Sequence, residues 1–443
     1  MVDKQPSCAD AAEPELLPVH EARLRMLAGL TVLKAAEKIA LGDAVGRVLS
    51  QAVVSPINVP AENNSAMDGY AITSASIPIS DEPESGESTP GESTPGESTP
   101  GESTLKVLGT SWAGRPYENS VRTGEAVRIF TGAVMPAGAD TVVIQEHVQA
   151  DEDSVRIDSA VVAGRNVRAA GEDVQQGQLV LDVGRRLVAA DIGVIASLGI
   201  DSVRVTRRLK VACFSTGDEL CALAQYANTR LPAGMLFDSN SWTLRALLES
   251  SGVELIDLGI VRDTAEDTRA ALTRAADEAD VIVTSGGVSA GEADFVTEVF
   301  HEMGEVSFWK IAMRPGRPLA FGRVGKAAFF GLPGNPVAVM VTFLQFVQPA
   351  LRHMAGMHDI APLELPAKCL NRLRKSTGRM EYQRGLLRLS DGELVVESTG
   401  KQGAGRLSSM SAANCLIVVA AEVASVSPGD RVMVQPFYGL LPG

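Results

Sequence analysis

The sequence lacks the residue patterns that mark disulfide-rich and zinc-binding proteins. Only 5 of its 443 residues are cysteine, and 5 are histidine. The cysteines are scattered and form no CxxC pair, which indicates reduced thiols rather than a disulfide framework. The histidines show none of the spacings that are typical of zinc ligands. The cysteines are Cys8, Cys213, Cys221, Cys369 and Cys415.

Long hydrophobic runs and basic stretches are also lacking. The longest apolar run, Val337 to Leu351, is interrupted by Gln345 and Gln348, and the first 20 residues contain no apolar core of a signal peptide. No basic arm offsets the formal charge of -14, which argues against a general nucleic-acid binder. We therefore expect a cytoplasmic protein with no nucleic-acid partner and no membrane partner.

The chain is long enough for several domains. Its 443 residues predict about three, give or take one, and the apolar content of 45% is typical of a globular protein. Residues 84–104 contain repeated copies of GESTP, a composition that cannot bury a core, so we predict that this segment is disordered. The repeat fits a flexible acidic tether for a partner. It fits better an expanded surface loop, because longer loops cost little extra closure entropy.

Apolar periodicity predicts the order of helices and strands. Glu21 to Leu27 and Thr31 to Ile39 have helical spacing, whereas residues 52–165 and those after Pro362 are short strands and turns. From Leu209 to about Leu351, strands alternate with helices, which predicts a parallel sheet with helices on both faces. The predicted strands of this region are Leu209 to Phe214, Val253 to Ile260, Val281 to Thr284 and Ala327 to Phe330, with a further strand at Leu319 to Phe321.

The loops that follow these strands should meet at one edge of the sheet, where ligands of such folds bind. Ser285 to Asp294 reads SGGVSAGEAD, so bare glycine backbone could approach phosphate oxygens at the start of a helix. Asp218, Glu219, Asp263, Glu292 and Asp294 would share this edge, and their mutual repulsion would need a divalent cation. Each loop alone also fits a simple helix start or a rigid turn.

A basic segment follows in the sequence. Lys310, Arg314 and Arg317 lie in the stretch KIAMRPGRP, whose glycine and prolines indicate a shaped loop. Such spacing could clamp a phosphate or another oxyanion, with arginine as the bidentate donor. A solvated basic loop is the alternative.

Seven strings stand out along nearly the whole chain. They are NSAMDGYA (Asn64 to Ala71), IFTGAVMPAGADTVVIQE (Ile129 to Glu146), GRNVRAAGEDV (Gly164 to Val174), FSTGDEL (Phe214 to Leu220), SGGVSAGEAD, FWKIAMRPGRPLAFG (Phe308 to Gly322) and GLPGNPVA (Gly331 to Ala338). In content and in order, these strings resemble the molybdopterin molybdenumtransferases, the MoeA and gephyrin E-domain family.

The resemblance implies a multidomain α/β plus β architecture. A helical and linker subdomain would be split between residues 1–54 and 164–200, with a mostly β subdomain at 55–163 inserted between the two parts. Residues 201–358 would form a three-layer α/β/α molybdopterin-binding domain, and residues 359–443 a β-barrel-like domain. The resemblance also implies a homodimer, in which the α/β domain of one chain meets the inserted subdomain of the other.

The implied reaction is the insertion of molybdate into adenylylated molybdopterin, with magnesium as cofactor and with molybdenum cofactor and AMP as products. The resemblance assigns catalytic roles to Asp68, Thr131, Asp173, Glu219, Asp263 and Asp294, of which Glu219, Asp263 and Asp294 would support magnesium. It assigns substrate binding to Arg168, Ser285, Gly286, Gly287, Lys310, Arg314, Arg317, Pro333 and Pro336.

The implied chemistry agrees with these residue types. Molybdate and the diphosphate link are both anionic, so cations must bring them together, and the dithiolene sulphurs of the pterin would bind molybdenum without a protein cysteine. We expect catalysis by electrostatics and positioning, with no covalent protein intermediate. A non-catalytic scaffold or paralogue of the same fold is the alternative. The resemblance leaves open a partnership with molybdopterin adenylyltransferase and other proteins of the cofactor pathway.

Overall fold

The computed structural model of the protein describes residues 16–77, 103–158, 161–226, 230–286, 299 and 302–437. The chain divides into two compact units. The first unit comprises Met1–Ser50, Val183–Leu187 and Val203–Gly443, and the second comprises Gln51–Asp182 and Val188–Ser202. Each unit is described by itself below.

A six-stranded sheet of described strands, called the central sheet here, organises the first unit. Its first four strands are parallel and the last two pair antiparallel. Their order across the sheet is Glu254–Val261, Lys210–Thr216, Val281–Ser285, Ala327–Leu332, Pro318–Val324 and Gly304–Lys310.

Alternate residues of the central strands pack into two different cores. Val281, Val283 and Phe330 face one core, while Ile282 and Phe329 face the other. Because both faces are covered, the strands are continuously apolar rather than alternating with polar residues, as in Val281–Ser285, which is buried throughout. The predicted three-layer α/β/α arrangement is therefore confirmed.

Helices cover both faces of the central sheet. Ser239–Ser250 and Pro336–Thr342 contribute to the first core, and Ala265–Glu278 contributes to the second. After Pro336–Thr342 the helix continues through a π-helical turn, Phe343–Val347, into Gln348–Met354. The other helices among the described residues of this unit are Val19–Ala28, Leu41–Asp43 (3-10), Leu223–Tyr226 and Leu407–Ser411.

One sequence prediction in this unit was wrong, and one strand was not predicted. Thr31 to Ile39 does not form a helix, because Ala36–Ala40 is a strand that pairs with Ser202–Thr206, a partner too distant in sequence to be inferred from local spacing. The edge strand Gly304–Lys310 was missed, because its pairing with Pro318–Val324 fixes its conformation.

The C-terminal part of the first unit forms a closed barrel. Strand Met380–Ser390 pairs with both Glu393–Ser398 and Cys415–Val419, which closes a ring of five strands among the described residues, and Met313–Arg314 adds to its edge. The turn at Asp391 and Gly392 has positive φ at both residues, as the sequence SDG predicts. The other strands of the ring are Leu365–Cys369 and Arg431–Pro436. Outside the ring, the short strand pairs of the first unit include Leu220–Cys221 with Leu236–Phe237 and Leu373–Arg374 with Ser425–Val426.

The second unit is mostly β. Its larger sheet contains six described strands, in the order Thr141–Ile144, Gly69–Ile72, Glu125–Ile129, Ser103–Ser111, Ser154–Ile157 and Val148–Ala150. Short pairs join Val53–Val54 to Leu179–Leu181 and Asn64–Ser65 to Val167–Arg168. Within residues 51–77, 103–158, 161–182 and 188–202, the helical elements are Ala189–Ser197 and the 3-10 turns Ser74–Ser76 and Gln145–His147.

The GESTP segment lies outside the described residues except at its end. Ser103 and Thr104 belong to a strand, where they pair with Ile157 and Arg156, so the predicted disorder was wrong for these two residues. No helix in the described part of the chain is long and apolar enough to cross a membrane. The described cysteines, Cys213, Cys221, Cys369 and Cys415, are free and buried. The predicted boundaries of the four subdomains remain predictions.

Candidate functional site

A cleft of about 1200 Å³ opens at the carboxyl edge of the central sheet. The residues that end or follow all four parallel strands contribute to its lining, because parallel strands end at the same edge. Thr216, Asp263, Ser285 and Pro333 represent these four strand ends. The structure therefore brings four loops that the sequence singled out to one place within the first unit.

Glu219 lines the cleft and is exposed. Its carboxylate lies directly over Gly217, where a Cβ atom would be only 2.7 Å from Glu219 Oε2. The loop is closed by backbone hydrogen bonds, in which Leu220 N–H donates to the Gly217 carbonyl at 3.1 Å and Leu236 N–H donates to the Glu219 carbonyl at 2.8 Å. The missing side chain at Gly217 thus leaves the room that the Glu219 carboxylate occupies. Asp218 is exposed and does not line the cleft.

Asp263 is the second acid in the lining and is half-buried. It precedes helix Ala265–Glu278, whose N-cap is Thr264, since the Thr264 hydroxyl accepts from Asp267 N–H at 3.2 Å. Asp263 is therefore not the capping residue, although the sequence allowed that simpler role. Within the described ranges, no group of three histidine, cysteine or acidic side chains is placed to hold a metal ion. Asp294, the third predicted acid, lies outside the described residues, as does Glu292.

The loop after strand Val281–Ser285 begins with a position that only glycine fits. Gly286 has φ +92°, and a Cβ atom there would be 2.4 Å from the Thr216 carbonyl oxygen. Gly286 N–H donates to the Leu332 carbonyl at 3.1 Å, which fixes this backbone between the two neighbouring strands. Ser285 and Gly286 both line the cleft. Gly287, the third predicted residue of this loop, lies outside the described residues.

The basic segment forms another part of the lining. Arg314 and Arg317 line the cleft together with Pro315 and Gly316. The Arg314 guanidinium is 3.4 Å from Glu381 Oε1 and is mostly exposed, so its charge is only partly offset by that carboxylate. Lys310 ends the edge strand, is exposed and does not line the cleft. The structure thus brings two of the three predicted cations together.

The loop Gly331 to Pro336 completes the edge of the sheet. Pro333 and Pro336 both line the cleft, and Pro336 occupies the first turn of its helix, where its fixed backbone angle and missing N–H suit the helix start. Asn335 is the N-cap residue, but its side chain makes no capping hydrogen bond. Val337 N–H instead donates to the Ala404 carbonyl at 3.0 Å, because the C-terminal barrel brings residues 403–405 to the helix start.

The C-terminal barrel contributes a part of the site that sequence reasoning did not assign. Arg379, Gln402 and Ala404 line the cleft. Arg384 is almost fully buried behind them and donates to the Gly403 carbonyl at 3.2 Å and to Ser409 Oγ at 3.1 Å. Burial, followed by the nearby charge of Arg314, lowers the pKa of Arg384 to about 10, so the guanidinium remains protonated at pH 7.

Asn240 is a further lining residue that the sequence did not reveal. It lies in the first turn of helix Ser239–Ser250 and is buried. Helical periodicity could not identify it, because a polar residue in a first turn is ordinary. A sequence signal for Asn240 was only indirect: its helix begins at the edge of the sheet where the other loops of the cleft meet.

Asp68 and Thr131 belong to the second unit, where they contact each other. Asp68 Oδ1 accepts hydrogen bonds from both the Thr131 N–H and the Thr131 hydroxyl, each at 2.8 Å. These two bonds lower the pKa of Asp68, with a smaller contribution from the charge of Arg128, so Asp68 is ionised well below neutral pH. Two strings that are distant in sequence, NSAMDGYA and IFTG, therefore form one structural feature.

Arg168 and Asp173 also belong to the second unit. Arg168 lies opposite Asn64 in a short antiparallel pair, and its Nε atom is 3.8 Å from Glu172 Oε1. Asp173 is exposed, and its N–H donates to the Val59 carbonyl at 3.1 Å. Both side chains lie at the surface of this unit and are held by backbone pairing to the segment before Asp68.

Three family models match successive parts of the chain. They are described as the MoeA N-terminal region (domain I and II), matching residues 17–199, a probable molybdopterin binding domain, matching residues 212–353, and the MoeA C-terminal region (domain IV), matching residues 366–437. Together they span most of the chain, and the second model contains the central sheet apart from the first two residues of strand Lys210–Thr216.

Curated relatives and solved structures give the same assignment. The molybdopterin molybdenumtransferase of Haemophilus influenzae is 39% identical and aligns over 96% of this chain and 100% of its own length. The enzyme of the same name from a Nostoc species is 35% identical over 90% of this chain and 88% of its own length. The crystal structure of the molybdopterin biosynthesis moeA protein of Pyrococcus horikoshii matches with a TM-score of 0.79 and 27% identity, covering 95% of this chain and 100% of that one.

Proposed function

Because the chain belongs to the MoeA family of molybdopterin molybdenumtransferases, we propose that it inserts molybdate into adenylylated molybdopterin and releases AMP. The coarser assignment, an enzyme of molybdenum cofactor biosynthesis, follows from the family itself. The substrate pair, the magnesium requirement, a cytoplasmic location and a homodimeric state belong to the proposal. An adenylyltransferase would have to supply the adenylylated pterin.

One observation carries the proposal: a single large cleft is lined by both acidic and basic side chains around a glycine backbone. Glu219 and Asp263 contribute the acids, Arg314 and Arg317 the bases, and Gly286 the exposed backbone. An anionic substrate needs the bases, and a bound cation would offset the acids. Its volume of about 1200 Å³ exceeds the range of ordinary small-ligand sites, which suits a large substrate.

The donor set of the cleft fits magnesium. Mg²⁺ is usually held by one or two carboxylates together with substrate phosphates, and keeps several of its waters. Glu219 and Asp263 would supply two carboxylates at a cleft that also offers cations for phosphate. Bound there, magnesium would neutralise charge that develops on the phosphate oxygens as AMP leaves. Asp294 would be the third acid on the basis of the family motif.

The residues of this chain would act by binding and orientation. The Arg314 and Arg317 guanidinium groups would hold an oxyanion by paired N–H donors, a geometry that lysine does not offer. The backbone at Ser285 and Gly286 would hold the phosphate end, since no side chain blocks its approach. None of these roles needs a nucleophilic side chain, so the reaction would proceed without a covalent protein intermediate.

The function is tested by mixing the purified protein with adenylylated molybdopterin, molybdate and magnesium, and by measuring AMP release and active cofactor. The Glu219→Gln and Asp263→Asn variants should require more magnesium for half-maximal rate, because each removes one anionic ligand. Glu249→Gln, which changes an exposed helical acid paired with Arg245, is the matched control and should behave as the unaltered protein. Failure of the unaltered protein to release AMP would favour the non-catalytic scaffold.

The homodimer is tested by mixing two inactive variants. If Asp68 and Thr131 act on the cleft of a second copy, Asp68→Asn mixed with Glu219→Gln should regain about a quarter of the activity, because half of the dimers would contain one intact site. The mixture is assayed at a magnesium concentration too low to support turnover by Glu219→Gln, at which each variant alone should be inactive. No recovery after verified subunit exchange would remove the shared site from the proposal.

A further inference from the structure

Asn240 occupies a buried position between two of the loops that line the cleft. Its side chain is 8% exposed, and the preceding Asp238 caps the same helix by accepting from Ser241 N–H at 3.0 Å. The cap fixes the first turn of helix Ser239–Ser250, and therefore the direction in which the Asn240 side chain leaves it. Asn240 thus reaches the edge of the sheet from a rigid element.

The Asn240 amide nitrogen makes two hydrogen bonds of equal length. Nδ2 donates to Ser285 Oγ at 2.8 Å and to the Gly334 carbonyl at 2.8 Å. A carbonyl can only accept, so the bond to Gly334 determines which end of the amide is the nitrogen. Ser285 ends one parallel strand and Gly334 follows the neighbouring strand, so Asn240 joins the ends of the two strands.

The direction of the bond to Ser285 decides what that hydroxyl can do. A serine hydroxyl has one proton to donate, and here its oxygen already accepts from Asn240, so the proton remains available. In the described part of the chain, no hydrogen bond uses the Ser285 proton, and Ser285 lines the cleft. A donor held in this way suits the anionic oxygens of a phosphate ligand.

We propose that Asn240 is a positioning residue, which fixes the Ser285 hydroxyl as a donor toward the phosphate end of the substrate and ties it to the Gly334 loop. This inference rests on the proposed function, because it assigns the phosphate end to the Ser285 side of the cleft. It predicts that the polarity of residue 240 matters more than its size.

Two substitutions separate polarity from size. Asn240→Asp keeps the shape, but its carboxylate would accept the Ser285 proton and would face the Gly334 carbonyl. Asn240→Ala removes both bonds without capturing that proton. We therefore expect Asn240→Asp to weaken phosphate binding more than Asn240→Ala does, and Ser285→Ala to weaken it by roughly ten- to a hundred-fold, as expected for a hydrogen bond to a charged group.

The experiment is a double-mutant cycle with AMP and inorganic pyrophosphate as separate probes, measured by calorimetry in magnesium buffer without molybdate. The unaltered protein, Asn240→Ala, Ser285→Ala and the double variant form the cycle. If Asn240 acts through Ser285, the double variant should bind no more weakly than Ser285→Ala alone, because the losses are not additive. In turnover, the variants should raise KM for the adenylylated substrate more than they lower kcat.

Asn414→Ala is the matched control. The Asn414 side chain also makes two backbone hydrogen bonds, accepting from Leu387 N–H at 2.7 Å and donating to the Leu387 carbonyl at 2.8 Å, but it lies in the C-terminal barrel away from the lining. It should lower the unfolding temperature without changing affinity for either probe. A purely structural role for Asn240 would give the same result as Asn414.

Several outcomes would overturn the inference: additive losses in the cycle, an Asn240→Asp variant that binds like the unaltered protein, or no measurable binding of either probe. If the Asn240 variants do not fold, Ser285→Ala decides alone, because the inference requires it to lose affinity. AMP release by the unaltered protein is scored separately, so the proposed function can stand when the role of Asn240 fails.

Discussion

Replacing Gly286 by alanine should distort the edge of the central sheet. The new Cβ atom would lie 2.4 Å from the Thr216 carbonyl oxygen, about 1 Å closer than carbon and carbonyl oxygen normally approach. Thr216 O belongs to the backbone of the neighbouring strand, so it cannot turn away as a side chain could. Alanine would also have to adopt φ +92°, which residues with a Cβ atom rarely do.

The magnitude follows from these two contributions. The backbone conformation should cost about 1–3 kcal/mol, and overpacking against a fixed strand about 1–3 kcal/mol, which together give about 2–6 kcal/mol. Gly217→Ala should cost less, because the atom it would meet, Glu219 Oε2 at 2.7 Å, lies at the end of a side chain that can move. Gly334→Ala is the matched control in the same cleft, since its Cβ would have no neighbour within 4 Å.

Hydrogen exchange followed by mass spectrometry is the appropriate assay, because a chain of several domains does not unfold in a single two-state transition. Peptides covering Lys210–Thr216 and Val281–Ser285 should exchange much faster in Gly286→Ala, while peptides from the C-terminal barrel should not change. Gly334→Ala should match the unaltered protein in both regions. Equal protection in Gly286→Ala and Gly334→Ala would refute the reasoning from close approach.

In Thr131→Val, Asp68 keeps the N–H donor but loses the hydroxyl, so its pKa should rise toward the ordinary value, as a carboxyl NMR titration would show. Because the pKa of Asp68 is lowered in the folded state, its carboxylate stabilises the fold at pH values above the ordinary pKa of Asp, and this contribution is lost as the pH falls through the lowered pKa. In the variant the contribution should disappear at a higher pH than in the unaltered protein. Arg384→Met removes the donor to Gly403 and Ser409 and should destabilise by roughly 2–4 kcal/mol, with faster exchange in residues 402–409; unchanged exchange there would contradict its supporting role. Phe330→Ala, at a fully buried site, should cost about 3–5 kcal/mol, seen as a lower unfolding midpoint for the central sheet, and a loss below about 1 kcal/mol would show that the core can collapse around the gap.

Much of the fold could be predicted because its signals are local. Val281–Ser285 is continuously apolar, since both faces of its sheet are covered, and the SDG turn at residue 391 needs positive φ. The helix from Thr31 to Ile39 was predicted wrongly because a short apolar run fits either period, and the distant strand that pairs with Ala36–Ala40 decided between them. The edge strand Gly304–Lys310 was missed for the same reason, since its pairing with Pro318–Val324 fixes its conformation.

The candidate site was only partly visible in the sequence. Glu219, Asp263, Arg314 and Arg317 could be identified by motif, and the structure places all four in one cleft. Lys310 has the right charge and spacing but lies outside the lining, because its strand ends before the chain turns into the cleft. Asn240 carries no motif signal of its own, since its role arises from two hydrogen bonds to loops that are 45 and 94 residues away.

The sequence by itself determined the family, the order of strands and helices around the site, and the glycine positions that require bare backbone. These depend on local periodicity, on turn chemistry and on strings of adjacent residues, all of which involve residues close together in sequence. The tertiary structure alone decided which side chains share the cleft. It showed that the C-terminal barrel supplies Arg379 to the lining, and that Arg384 supports the lining from behind through its hydrogen bonds. It also showed that the Ser285 hydroxyl accepts a hydrogen bond from Asn240. Contacts between residues far apart in sequence depend on how strands pair and how units pack, and no local pattern encodes them.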